Sequence, residues 1–264
     1  MIVDHDIHVH TKLSACCSDP AATPFNAIAR AADAGLKTIG FANHLWDRAI
    51  PGASDWYSPQ DLAHILSIRK EIPADTRGVR VLVGCETEYC GGGKVGISPE
   101  AARQLDYVLI PFSHTHMNGF VVPDGTTAGD LPALLTRRFR EVVTLGLATG
   151  IAHPFYPLGF GEHIDEIMAA ISDADLEDCF GRAAEARTSI EFYLGMFPGP
   201  GGSKSGGLHD ETFLRVLGIA KRMGCLFHFG SDAHDLSGVG GVRRLEPYAR
   251  QLGITREDIL PLLR

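Results

Sequence analysis

Eight side chains suited to holding divalent cations recur along the 264-residue chain, in one kind of place. His8 and His10 come first, His44 follows in Phe41-Ala-Asn-His, and Glu86 in Val83-Gly-Cys-Glu. His114 lies in Phe112-Ser-His-Thr-His116, His153 in Ile151-Ala-His-Pro, and Asp232 and His234 in Gly230-Ser-Asp-Ala-His. Imidazole nitrogen and carboxylate oxygen are the ligands of Zn²⁺, Mn²⁺ and Fe²⁺. In an extended segment successive side chains alternate, so His8 and His10 point the same way, as do Asp232 and His234. A carboxylate such as Glu86 can bridge two cations, and paired cations can activate a water beside a phosphoryl group.

Something must bring these residues together. Apolar runs cover residues 2–7, 38–42, 79–85, 107–111, 147–152, 188–192 and 225–230. Amphipathic helical spacing fills 24–35, 59–71, 131–145, 165–184 and 211–223 between them, with Thr23 and Ser58 as N-caps and Gly35 as a C-cap. Two further helices, 245–252 and 256–263, are expected to close the chain. Seven alternating units without a break predict one parallel sheet. No glycine-rich phosphate turn follows the first run, which favours a closed or nearly closed barrel, a TIM-like α/β fold in one domain spanning 1–264. Six of the seven runs end in a candidate ligand, and in a parallel barrel those ends share one face.

The remaining composition narrows the function. Hydrophobic residues make up 45 % and charged ones 21 %, enough apolar material for a sizeable core. A net charge of −8 lacks the basic footprint of a nucleic-acid binder, so long nucleic acid is not an expected partner. An acidic chain that handles a phosphate needs bound cations to invert the local field. No apolar run reaches the length of a membrane span, and the first residues do not read as a leader. Cys16, Cys17, Cys85, Cys90, Cys179 and Cys225 form no C-x-x-C pair, and free thiols in a reducing cytoplasm are expected. The sequence fixes no oligomeric state. The glycine-rich stretch 199–207 carries Lys204, read either as a surface loop or as a loop over the site whose lysine meets an anionic substrate. Lys12 and Arg243 are the other candidate phosphate contacts, with a solvated surface charge as the plainer reading of each.

Together these pieces resemble the polymerase-and-histidinol-phosphatase (PHP) family of metal-dependent phosphoesterases. The matching segments are Asp6-Ile-His-Val-His-Thr, Asn43-His44, Gly84-Cys-Glu86, Ser113-His114, Ala152-His-Pro154 and Gly230-Ser-Asp-Ala-His234, in the family's order. The resemblance implies a distorted (β/α)₇ barrel and two or three Zn, Mn or Fe ions. His8, His10, Glu86 and Asp232 would hold the first ion, and Glu86, His114 and His153 the second. His44, His234 and one residue of the loop after His10 would hold the third. Asp19 is the expected loop ligand; Cys16 or Cys17 is its rival, and a thiolate there would favour zinc. Catalytic roles fall by resemblance to Glu86, His114, Asp232 and His234. His116 is an alternative to His114 and is otherwise a substrate contact. Asn43 stands where the family often has Asp, and Glu191 either supports a ligand or forms a plain ion pair. The implied reaction is hydrolysis of a small phosphomonoester by a metal-activated water, with histidinol phosphate as one specific substrate. Two other readings are an amidohydrolase-like enzyme, whose usual strand-end lysine is absent from the sequence, and a non-catalytic metal-binding module.

Overall fold

A computed structural model describes residues 2–197 and 210–264. Its strands are β1 (His5–Val9), β2 (Thr38–Phe41), β3 (Arg80–Val83), β4 (Cys85–Glu86), β5 (Val108–Leu109), β6 (Gly150–Ile151), β7 (Ser189–Tyr193) and β8 (Phe227–Gly230). Pairing is parallel throughout, in the orders β1-β2-β3 and β4-β5-β6-β7-β8. The wall closes between β8 and β1, where Asp232 N donates to His8 O at 2.7 Å and His10 N to Ala233 O at 2.9 Å. The expected seven-stave α/β barrel is therefore present.

One stave is split. The run predicted over 79–85 forms β3 and β4, parted at Gly84. A Cβ on Gly84 would lie 2.5 Å from the Tyr107 ring, and one on Gly40 would lie 2.6 Å from its hydroxyl. The two glycines clear a slot through which buried Tyr107 crosses the barrel, and its hydroxyl donates to Ile7 O at 2.7 Å. One ring thus ties its own stave to three others.

Helices cover the outside. α1 (Pro24–Asp33) starts at Thr23, whose side chain accepts from Asn26 N, and a proline leads its first turn. α2 (Leu62–Leu66) is capped by Asp61, not by the expected Ser58, and tightens into a 3₁₀ turn, Ser67–Lys70. α3 (Pro99–Ala102), capped by Ser98, was not anticipated, being a single turn. α4 (Leu131–Thr144) follows β5. The helix predicted over 165–184 is two, α5 (Ile164–Ala169) and α6 (Asp173–Ala186), because the Ser172 hydroxyl accepts from Asp175 N and begins a new helix. α7 (Asp210–Arg222) precedes β8, and α8 (Glu246–Gln251) follows it. The last predicted helix is two 3₁₀ turns, Arg256–Asp258 and Pro261–Leu263, since Leu260 before Pro261 stays out of the helical region.

Apolar faces of these helices and both ends of the chain join one buried cluster. Phe112, Phe139, Phe155 and Phe180 stack and edge against one another between barrel and helices. No described helix is long and apolar enough to cross a membrane.

Replacing Gly84 by alanine must push the Tyr107 ring out of its slot. The expected cost is about 1–3 kcal/mol, typical of overpacking, read as a lower thermal midpoint; unchanged stability would show that the slot has room to give.

Candidate metal centre

The C-terminal ends of the staves open on one face, and the sequence-nominated ligands converge there. Glu86 is the hub. Its Oε2 lies 3.4 Å from His8 Nε2, 3.4 Å from His10 Nε2 and 3.3 Å from His44 Nδ1. Its Oε1 lies 3.0 Å from His153 Nε2 and 3.7 Å from His114 Nε2. Asp232 completes the near side, with Oδ1 3.1 Å from His10 Nε2 and 3.4 Å from His8 Nε2.

Second partners fix how the rings face. Glu191 Oε1 lies 2.7 Å from His8 Nδ1, and its other oxygen accepts from His153 N at 2.5 Å. Ser113 Oγ is 2.8 Å from His153 Nδ1, and Ser14 Oγ is 3.0 Å from His10 Nδ1. Asn43 Oδ1 accepts from Thr11 N and Ser14 Oγ, so this residue braces the loop after β1. Glu88 Oε2 is 2.5 Å from His114 Nδ1 and accepts from Tyr57 at 3.0 Å. With Nδ1 engaged, the rings of His8, His10, His114 and His153 turn Nε2 towards the centre, a common arrangement behind metal-binding histidines.

Backbone strain and a glycine serve the same geometry. His153 and Asp232 hold positive φ, 28° and 54°, which non-glycine residues adopt at a cost of about 1–3 kcal/mol each. The bonds to Glu191 and His8 O keep them there. At Gly230 a Cβ would overlap the Glu191 carboxylate and lie 2.7 Å from His8 Cβ.

Electrostatics follow from burial and proximity. Burial alone would lower the imidazoles of His8 and His10, but the surrounding carboxylates hold both well above the ordinary range. Burial would raise Glu86 and Asp232, yet the imidazoles hold both far below it. His114 is raised to about 9 because Glu88 outweighs burial. Burial and the neighbouring His114 lower His116. Burial would raise the Cys16 thiol, but hydrogen bonding to His10, His234 and His44 brings it down to about 4.

Four buried atoms at the centre have no hydrogen-bond partner: His8 Nε2, His10 Nε2, His44 Nδ1 and Asp232 Oδ1. Each such group costs about 1–3 kcal/mol when left unsatisfied. The donor set fits divalent cations. Three groups have donor atoms mutually within 4.8 Å: His8, His10, Glu86 and Asp232; Glu86, His114 and His153; and His10, Cys16, His44 and His234. His10 appears twice, but its Nε2 faces Glu86 and Asp232, which assigns it to the first.

Other nominated residues stand elsewhere. Asp19 is not among these groups. Its Oδ1 accepts from Ala21 N at 2.8 Å and its Oδ2 from Leu236 N at 2.9 Å, so the carboxylate splices two loops while Cys16 faces the cluster. Cys17 turns its thiol to His234 O. Arg243 donates to Val3 O at 2.6 Å, just before β1 begins and so at the opposite face, which removes it as a phosphate contact. Lys12 pairs with Glu71 at 3.0 Å and is absent from the cavity lining. Lys204 lies outside the described residues. His116 lines the cavity mouth.

That cavity, of about 470 Å³, has the ligand cluster as its floor and Trp56, Tyr57, Met117 and Leu158 as an apolar wall. Sequence reasoning missed this wall and Glu88. The i, i+2 spacing of Glu88 from Glu86 was the available signal; the wall residues sit in loops with no periodic mark.

Beneath the floor, His228 is fully buried with Nδ1 2.9 Å from Ser189 Oγ, and burial lowers it to about 3.

No family model matches the chain. It is 24 % identical over 170 residues to a probable phosphatase of Caldicellulosiruptor bescii, covering 64 % of this chain and 59 % of that one. The chain thus spans about three-fifths of that relative's length. Among solved structures, its fold matches the histidinol phosphate phosphatase of Lactococcus lactis, solved with zinc, L-histidinol and phosphate. The TM-score is 0.66 at 16 % identity, covering 97 % of this chain and 95 % of that one.

Two expectations follow. Glu88→Gln keeps the volume but withdraws the charge behind His114, and metal affinity should fall about 10–100-fold with secondary structure unchanged; undiminished affinity by competition with a chelator would remove Glu88 from the centre. His228 is neutral when folded and has an ordinary value of 6.5 when unfolded, so its contribution to stability is complete above pH 6.5 and declines as pH falls towards about 3. His228→Gln should flatten that decline by up to about 1.4 kcal/mol per pH unit, measured by urea unfolding at stepped pH.

Proposed function

We propose that this chain is a PHP-type metal-dependent phosphoesterase, one hydrolase domain over residues 1–264, that cleaves a small phosphomonoester. The observation that carries the reading is the Glu86 hub, around which three sets of buried and half-buried donors converge on one open cavity. The sequence resemblance, the fold shared with a histidinol phosphate phosphatase and the likeness to a probable phosphatase all support it. Six unpaired thiols suit a reducing compartment, and the reading includes the cytoplasm.

His8, His10, Glu86 and Asp232 would hold one cation, Glu86, His114 and His153 a second, and His44 and His234 with a loop residue a third, each Zn²⁺, Mn²⁺ or Fe²⁺. Such cations would supply an activated water and neutralise phosphoryl charge. The protein's own part is placement. Glu191, Ser113, Ser14 and Glu88 lock the rings, so little reorganisation is needed when substrate arrives. His116 at the mouth can hydrogen-bond a phosphoryl or leaving-group oxygen, its ring shifted towards the neutral form by burial and by His114. The wall of Trp56, Tyr57, Met117 and Leu158 receives the leaving group away from the acidic floor. Histidinol phosphate is the specific substrate to try first, because its imidazole would stack on an aromatic wall.

The test is to purify the protein without chelator, count its metals, and assay a phosphomonoester panel that includes histidinol phosphate. We expect two or three metals per chain with turnover, and loss of both in His8→Ala combined with His10→Ala. Full activity and unchanged metal content in that double variant would overturn the site assignment.

A further inference from the structure

We propose that the Cys16 thiolate is itself a metal ligand, so that the position formed with His44 and His234 differs in kind from its two neighbours and takes zinc in preference to manganese. The proposal rests on the metal-centre reading and assigns a donor set to one position within it.

Geometry comes first. The Cys16 sulfur and one ring nitrogen each of His10, His44 and His234 lie mutually within 4.8 Å. Cys16 is only partly buried and lines the cavity, so a cation can reach it. Its place in the loop is fixed on both sides, where Ala15 N donates to Gln60 Oε1 and Cys17 N to Ser14 O, each at 2.9 Å. His44 Nδ1, 3.3 Å from Glu86 Oε2, is a buried nitrogen with no hydrogen-bond partner where this group borders the other two.

Charge balance points the same way. The other two positions share Glu86, and one also has Asp232. A third dication beside two others is repelled by both, and neutral imidazoles do nothing to offset that repulsion. The position needs an anion of its own. Asp19 does not supply it: its carboxylate is turned to Ala21 N and Leu236 N and is not among the donor atoms gathered here. Among the described residues, Cys16 is the anionic donor of this group. Thiolate is a soft ligand that favours zinc over manganese, whereas carboxylate and imidazole discriminate less. One centre would then hold two positions open to several metals and one selective position.

Cobalt reports this directly, because a thiolate ligand gives Co²⁺ an intense near-ultraviolet charge-transfer band that nitrogen and oxygen ligands do not. The full chain is stripped of metal and titrated with Co²⁺ while absorbance and bound metal are followed. We expect the band in the parent protein and in Cys17→Ser. In Cys16→Ser the band and one equivalent of cobalt should be lost, with the other equivalents retained. Cys16→Asp should recover the equivalent without the band, and should narrow the preference for zinc when Zn²⁺ and Mn²⁺ compete at equal concentration. Cobalt bound without the band, or a band that survives Cys16→Ser, would overturn the thiolate assignment and leave the metal centre standing. No retained cobalt in the parent protein would overturn both.

Discussion

A carboxylate taken out of water must be surrounded by compensating charge or hydrogen bonds, and Glu86 is only about 1 % exposed. Five imidazoles lie within 3.7 Å of its oxygens, drawn from four staves and the loops beyond them. The rest of the upper barrel can be understood as the means of holding those rings around one anion. Serines, two glutamates and an asparagine-braced loop occupy the outward nitrogens or the backbone behind them. The two strained residues, His153 and Asp232, are the points where a stave must turn sharply to bring its ligand inward. Strain of that kind persists only where the surroundings over-determine the conformation, and Glu191 does so by engaging His8 and the His153 amide at once.

Much of this was legible in the sequence because strand ends are easy to recognise and a parallel barrel makes them neighbours. The placement of His8, His44, Glu86, His153 and Asp232 needed only the apolar runs and the rule that their C-terminal ends share a face. Contacts that depend on loop shape were harder to read. Asp19 and Cys16 lie three residues apart in one short loop, and only the backbone path decides which of them faces the cluster. Arg243 follows β8 closely enough to look like a site residue, yet the chain has by then crossed to the other face. Ser58 and Asp61 compete for one helix start, and a single hydroxyl at Ser172 divides a helical pattern that periodicity reads as continuous. The apolar cavity wall is harder still, because Trp56, Tyr57, Met117 and Leu158 meet only through tertiary packing.

The split third stave shows how the interior and the site depend on each other. Gly40 and Gly84 admit Tyr107 across the barrel, and the chain beyond Gly84 leads directly to Cys85 and Glu86. A side chain that fills the barrel core therefore also sets the level at which the central carboxylate emerges. Beneath the floor, Ser189 and His228 form a buried hydrogen-bonded pair, so the polar layer extends below the residues that meet the cavity.

Closure between β8 and β1 carries a consequence for how the molecule comes into being. Ser231 N donates to Asp6 across 225 positions of sequence, and Asp232 meets His8 and His10 across the same seam. Contacts so distant form late, since the chain between them must already be compact before the ends can meet. On the ribosome, the earliest histidines emerge long before the aspartate that faces them. For most of translation the nascent polypeptide holds half a chelate, and the full donor set exists only once the final stave has docked.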